Sequence, residues 1–228
     1  MKRIERREYL SKLKKFRAKK LIKIITGARR CGKSTLMEIY RDWLITQGVS
    51  SQRIVFINFE DYDYFSLRDP QNLYNYIKKL LSDTEMTYLF FDEIQHVKDF
   101  PDVINSLNLK PYTDIYLTGS NAYMLSGELA TLLSGRYVEI PMLPLSFREY
   151  VEAISGQDNL QDSYNRYVTN SSFPYTLELD STEEISDYLD AVYNTIVVKD
   201  IMTRLKIQDV TMLESVIRFA ADNIGNIL

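Results

Sequence analysis

The chain has 228 residues, 45% of them hydrophobic and 26% charged, with a formal net charge of −3. That length suits one large α/β domain with a small accessory piece, and the balance is ordinary for a soluble globular protein. The single cysteine excludes an internal disulfide, no apolar run approaches the roughly 18–20 residues of a membrane span, and no signal-peptide core follows Met1, so a reducing cytoplasm is expected.

The small net charge hides an asymmetry. Residues 1–33 hold 14 Lys/Arg against 2 Asp/Glu, which leaves the remainder at about −15. Ile4, Tyr9, Leu13 and Phe16 recur at near-helical spacing, which predicts an amphipathic helix over residues 3–16. Such a helix docks on the domain and shows its lysines to water. The same charge offers a contact to nucleic acid, and the two readings can coexist.

Residues 21–26 read as a first strand, followed by a helix over residues 34–43. A second strand, rich in Ile, Val and Phe, is expected over residues 53–59. Pro70 then introduces a helix over residues 71–81, a third strand covers Thr87–Asp92, and Pro101 opens a helix over residues 102–109. Further strands are expected over residues 114–118 and 136–140. Strands alternating with helices imply parallel pairing through right-handed crossovers, hence a three-layer α/β sandwich. Strand patterns stop after Pro141. Helices are expected over residues 147–154 and 160–168, with a hinge at Phe173-Pro174. Ser181-Thr182-Glu183-Glu184 then looks like the start of a long helix reaching Lys206, with a last helix over residues 210–226. The domain reading is a basic helix over residues 1–18, a core over 19–145, and a helical region over 146–228.

Between the first strand and its helix lies Gly27-Ala28-Arg29-Arg30-Cys31-Gly32-Lys33-Ser34, a complete G-x-x-x-x-G-K-[ST] loop. The glycines let backbone N–H groups curl around a polyphosphate, and the following helix aims its unpaired N–H groups at the same anion. The loop through Thr35 is therefore expected to bind a nucleoside triphosphate, with Lys33 on the outer phosphates and the Ser34 hydroxyl on Mg²⁺.

Tyr88-Leu89-Phe90-Phe91-Asp92-Glu93 sets two carboxylates at the end of a strand buried on both faces. Asp92 would hold Mg²⁺ beside Ser34, and Glu93 would polarise the attacking water. If the fourth strand lies between the first and third, Ser120 or Asn121 at its tip would sense the γ-phosphate or cap the next helix. Arg136 reads either as an arginine that reaches a neighbour's nucleotide or as half of a structural ion pair. Cys31 looks incidental, and His96, the only histidine, has no evident partner.

These segments together resemble a AAA+-type ATPase, and more closely a prokaryotic group whose AAA domain precedes a C-terminal domain of unknown function. The residues that carry the resemblance are TGARRCGKST at 26–35, FFDEIQHV at 90–97, LTGSNAYML at 117–125, LLSGRYVEIPMLPLSFREY at 132–150 and YNTIVVKDIMTR at 193–204. The resemblance implies a parallel sheet in the order 5-1-4-3-2 with a helical region after it. It also implies Lys33 and Ser34 as nucleotide and Mg²⁺ contacts, Asp92 and Glu93 as metal and hydrolytic acids, Ser120 or Asn121 as sensor, and Arg136 as an arginine finger. Full-length members continue into a winged-helix-like segment and a further domain, which this sequence is expected to lack. Arg204 and Arg218 are candidates for a second sensor arginine.

The leading expectation is an ATPase whose turnover drives a conformational change, in association with DNA or as a homo-oligomer. The alternatives are a slow nucleotide-gated switch or scaffold and a small-molecule kinase. The absence of an N-K-x-D pattern argues against guanine specificity.

Overall fold

Five strands form one parallel sheet in the computed structural model, which describes residues 3–119, 133, 135–154, 159–196, 201–202, 206–207 and 209–225. The strands are β1 (Ile22–Gly27), β2 (Ile54–Asn58), β3 (Thr87–Asp92), β4 (Thr113–Thr118) and β5 (Tyr137–Met142). Their order is β2-β3-β4-β1-β5, which is the expected 5-1-4-3-2 read from the other edge. Every residue of β1, β3 and β4 is buried, whereas the edge strands β2 and β5 are only partly so. Central strands covered on both faces explain the continuous apolar runs in the sequence.

Alternating side chains divide the core between the two faces. On one face Leu89 and Phe91 pack with Leu73 and Ile77 of α3 (Pro70–Leu80) and with Val103, Ile104 and Leu107 of α4 (Phe100–Asn108). On the other, Tyr88 and Phe90 pack with Leu36, Met37, Tyr40 and Leu44 of α2 (Lys33–Thr46) and with Leu10 and Leu13 of α1 (Arg7–Lys15). The result is the three-layer α/β sandwich. Each fully buried Leu, Ile or Phe contributes about 1.5–3 kcal/mol of burial free energy.

Two boundaries differ from the sequence reading for physical reasons. The first helix begins at Arg7, not residue 3, because the Arg6 side chain turns into the protein and is 3% exposed. Strand β5 runs on through Pro141 to Met142. A proline is tolerated there because β5 is an edge strand bonded only to β1.

Beyond the sheet, the unit Met1–Asp180 adds α5 (Phe147–Ala153) and α6 (Leu160–Asn170). Phe173-Pro174 leads into a short 3-10 helix, Pro174–Glu178, in which Pro174 is buried. The unit Ser181–Leu228 contains α7 (Thr182–Thr195) and α8 (Val210–Asp222). Helix α7 opens on a capping box, with the Glu184 N–H donating to Ser181 Oγ at 3.1 Å. The expected long helix is therefore regular as far as Thr195. Among the described residues no helix is long and apolar enough to cross a membrane.

A polar cluster interrupts the otherwise apolar α2 face of the sheet. Phe56, Phe90, Tyr116 and Lys23 are register partners on neighbouring strands. Lys23 and Asp114 form a fully buried ion pair, and Lys23 Nζ also donates to the Leu21 carbonyl at 2.7 Å. Asp114 Oδ2 accepts from the Tyr116 hydroxyl and from the Ala18 N–H, each at 2.8 Å. The Tyr40 and Tyr116 hydroxyls lie 2.9 Å apart. Burial pushes the Lys23 pKa down, against the pull of Asp114. Removing one member strands the other charge in an apolar layer, so Asp114→Ala should cost about 3–5 kcal/mol in urea unfolding. Adding Lys23→Met to that variant should recover a substantial part of the loss; simple additivity of the two losses would contradict the pairing.

Candidate functional site

Because β4 lies between β1 and β3, the carboxyl ends of these three strands meet at one edge of the sheet. Gly27 is the last residue of β1, and a Cβ built on it would come within 2.2 Å of the Met142 carbonyl oxygen and 2.9 Å of Cys31 Sγ. Only glycine fits that approach. Gly32, with φ of +100°, ends the loop and leaves α2 without a side-chain cap. The first N–H groups of α2 are thus open to an anion.

Lys33 is 4% exposed, and its Nζ donates to the Gly27 and Ala28 carbonyls, each at 3.1 Å. Ala28 and Arg29 are half-buried and Arg30 is exposed, while Ser34 and Thr35 lie half-buried in the first turn of α2. Arg29 Nη1 approaches Glu60 Oε1, just beyond β2, at 3.7 Å. Cys31 is fully buried, and burial pushes its thiol pKa up, which favours the inert thiol.

The two acids are held by one hydroxyl. Asp92 ends β3, and Glu93 follows with φ of +54°. The Glu93 N–H donates to Thr118 Oγ1 at 2.9 Å, and the Thr118 hydroxyl donates to Asp92 Oδ1. Gln95 Nε2 donates to Glu93 Oε2. Burial raises the Asp92 pKa; the Thr118 and Ser34 hydroxyls and the Lys33 ammonium oppose it, and Glu93 adds to it. The Ser34 hydroxyl is thus near enough to act on the carboxylate. Even so, Asp92 Oδ2 is buried without a hydrogen-bond partner among the described residues.

An orphaned carboxylate oxygen beside a hydroxyl is a hard-oxygen donor set that fits Mg²⁺. Among the described residues no cluster of three His, Cys, Asp or Glu could hold a metal. A divalent cation here would therefore lean on phosphate oxygens as well.

Three expected site residues, Ser120, Asn121 and the sensor candidate Arg204, lie outside the described residues. Arg136 is exposed, and its carbonyl accepts from the Ile22 N–H at 2.9 Å. It precedes Tyr137, which is level with Ile22, whereas Gly27 is level with Met142. At about 3.3 Å per residue, Arg136 stands roughly 20 Å from its own loop along the sheet.

Beside the loop a shallow open cleft is lined by Ile4, Arg6, Gly32, Thr35, Met142 and Pro174, among others. Sequence reasoning missed Arg6 and Thr118. Thr118 had a usable signal, a polar residue closing an apolar strand next to the acid-bearing one. Arg6 had none, since its partners lie 25 to 143 residues away.

An uncharacterized protein of Haemophilus influenzae is 42% identical over 229 residues, covering 99% of this chain and 57% of that protein. The uncharacterized protein MJ1544 of Methanocaldococcus jannaschii is 28% identical over 203 residues, 83% of this chain and 44% of that one. The chain thus spans about half the length of each. Among solved structures, a Walker-type ATPase of Pyrococcus abyssi superposes with a TM-score of 0.55 at 14% identity, covering 97% of this chain and 77% of that one. AMPPCP-bound DnaA from Aquifex aeolicus gives 0.51 at 14% identity, over 97% and 69%. These two likenesses speak for the fold. The AAA domain family matches residues 19–151, well over half of the chain. With the loop, the acid-tipped central strand and the strand order already in place, the chain belongs to the AAA domain family of P-loop ATPases.

Proposed function

We propose that this chain binds ATP with Mg²⁺ and hydrolyses it to drive a change of conformation. The observation that carries the reading is the buried Asp92 Oδ2, without a partner among the described residues, in the same site as Ser34 and Lys33. A buried carboxylate oxygen left unpaired is costly, and a site that receives a cation removes the cost.

In this reading the loop N–H groups hold the phosphates, and Lys33 adds a positive charge to the outer ones. Ser34 and Asp92 would hold Mg²⁺, which when bound offsets phosphate charge and polarises the γ-phosphoryl group. The cleft beside the loop seats the nucleoside base against Ile4, Met142 and Pro174. Glu93 orients a water and takes its proton as the water oxygen bonds to the γ-phosphorus, and the bridging oxygen leaves with ADP. Thr118 and Gln95 hold Glu93 in place for that step.

The experiment is steady-state hydrolysis with ATP binding measured alongside. Glu93→Gln should lower kcat by about 10²–10⁴-fold with ATP binding kept, and Lys33→Ala should lose binding. Undiminished hydrolysis in Glu93→Gln would overturn the role of Glu93. An unaltered chain that binds ATP but turns it over no faster than Lys33→Ala, which should not bind it, would favour a nucleotide-gated switch.

Arg136 supports a second element of the proposal, assembly of identical subunits. The support is that Arg136 is exposed and one strand length from its own loop, so in this reading it would serve a neighbour's site. The rate per subunit should climb with protein concentration, and Arg136→Ala should remove that climb and lower kcat on the order of 10³-fold. A rate per subunit independent of concentration, with Arg136→Ala unaffected, would contradict the trans role. Lys12, Lys15 and Lys19, which face solvent, leave a polyanion contact such as DNA as an accessory role of the same arm.

A further inference from the structure

Arg6 has more buried hydrogen-bonding work than the docking of one helix requires. Its Nε donates to Glu149 Oε1 at 2.7 Å and its Nη1 to the Cys31 carbonyl at 3.1 Å. Its Nη2 donates to the Leu143 carbonyl at 2.7 Å and the Pro144 carbonyl at 3.1 Å. The guanidinium lies over the Tyr9 ring, 4.9 Å from its centroid, and the Tyr9 hydroxyl accepts from the Leu143 N–H at 3.2 Å. Glu149 is itself fixed, because its other oxygen accepts from the Ser146 N–H at 2.9 Å in the capping box of α5. One cation therefore joins the phosphate loop, the chain leaving β5 and the first helix beyond the sheet.

The contact to Cys31 has a consequence for the loop. In a planar trans peptide the carbonyl and the N–H that share the C–N bond point in opposite directions. With the Cys31 carbonyl drawn towards Arg6, the Gly32 N–H of the same peptide is turned the other way. Gly32 has the φ of +100° that lets the chain enter α2 in this orientation.

We propose that Arg6 is a positioning residue for the phosphate loop: it holds the Cys31–Gly32 peptide so that the Gly32 N–H faces the phosphate. Through Glu149 it ties that orientation to α5. The role rests on the reading of the loop as a phosphate site. It needs an arginine rather than any cation, because a planar five-donor fork can serve three carbonyls and a carboxylate from fixed directions, whereas an ammonium has three donors on a flexible stem.

The test compares ATP with inorganic tripolyphosphate, which lacks the base and so reports on the loop alone. Affinities for both are measured by titration calorimetry on the unaltered chain, Arg6→Lys, Arg6→Ala and Glu149→Gln, with thermal unfolding of each. Arg6→Lys should stay folded and weaken both probes by about 10-fold, as expected for a lost charge-assisted hydrogen-bond set. Glu149→Gln, which loosens the anchor and leaves the guanidinium in place, should weaken both by a smaller factor. Millimolar methylguanidinium should restore both affinities in Arg6→Ala, and ethylammonium should not. A folded Arg6→Lys that binds both probes like the unaltered chain would overturn the proposal. So would weakening of ATP with tripolyphosphate unchanged, which would confine Arg6 to the wall of the cleft. An unaltered chain that binds neither probe would instead remove the nucleotide reading on which the role rests.

Discussion

Thr118 stands at the tip of β4 with its hydroxyl between two acidic residues, donating to Asp92 and accepting from the Glu93 N–H. A hydroxyl has one proton to give and two lone pairs, so this arrangement consumes its donor on the carboxylate and leaves it an acceptor for the backbone. The rest of the site depends on it. Asp92 is fixed with one oxygen engaged and the other buried without a hydrogen-bond partner among the described residues, while Glu93 is held at positive φ and turned out of the strand direction. Two adjacent acids are thereby given different surroundings, one buried against hydroxyls and a lysine, the other held by the Gln95 amide. The pairing exists only because β3 and β4 are neighbours, so sheet order and site chemistry are one constraint.

That constraint explains why so much was legible in the sequence. The run from Thr87 to Phe91 is buried on both faces, which forces its first carboxylates to the carboxyl end of the strand. The loop residues are equally readable, because each of the two glycines answers a steric demand: the Met142 carbonyl at Gly27 and the left-handed turn at Gly32. Turn chemistry also served well. Pro70 stands in the first turn of α3, and Ser181 and Glu184 cap α7 reciprocally. Local rules such as these need only neighbours in the chain.

What the sequence did not disclose depends on distant partners. Nothing near Arg6 distinguishes it from Arg3 or Arg7, yet Arg3 pairs with Glu38 and Asp42 in solvent while Arg6 is buried against the loop. A helical pattern drawn through Ile4 was misleading for the same reason, since Ile4 lines the cleft and the helix begins only after Arg6. Lys23 reads as a charge interrupting an apolar strand. Its place becomes intelligible only with Asp114, 91 residues away, and the two tyrosines on the same face. Pro141 looked like the end of a strand because periodicity does not show that β5 lies at an edge.

On the proposed reading, Arg6 of the basic arm, the loop and the acid-tipped strand serve one nucleotide site within the first unit of the chain. Its central claim is spatial: that phosphate lies between the loop and Asp92. The most direct measurement is a crystal structure of the chain with a non-hydrolysable ATP analogue and Mg²⁺. The account requires the terminal phosphates within hydrogen-bond reach of the N–H groups of residues 27–34 and of Lys33 Nζ, with the cation between the phosphates and Asp92 Oδ2. An analogue bound elsewhere, or phosphates in the loop with Asp92 still unpaired and no cation beside it, would contradict it.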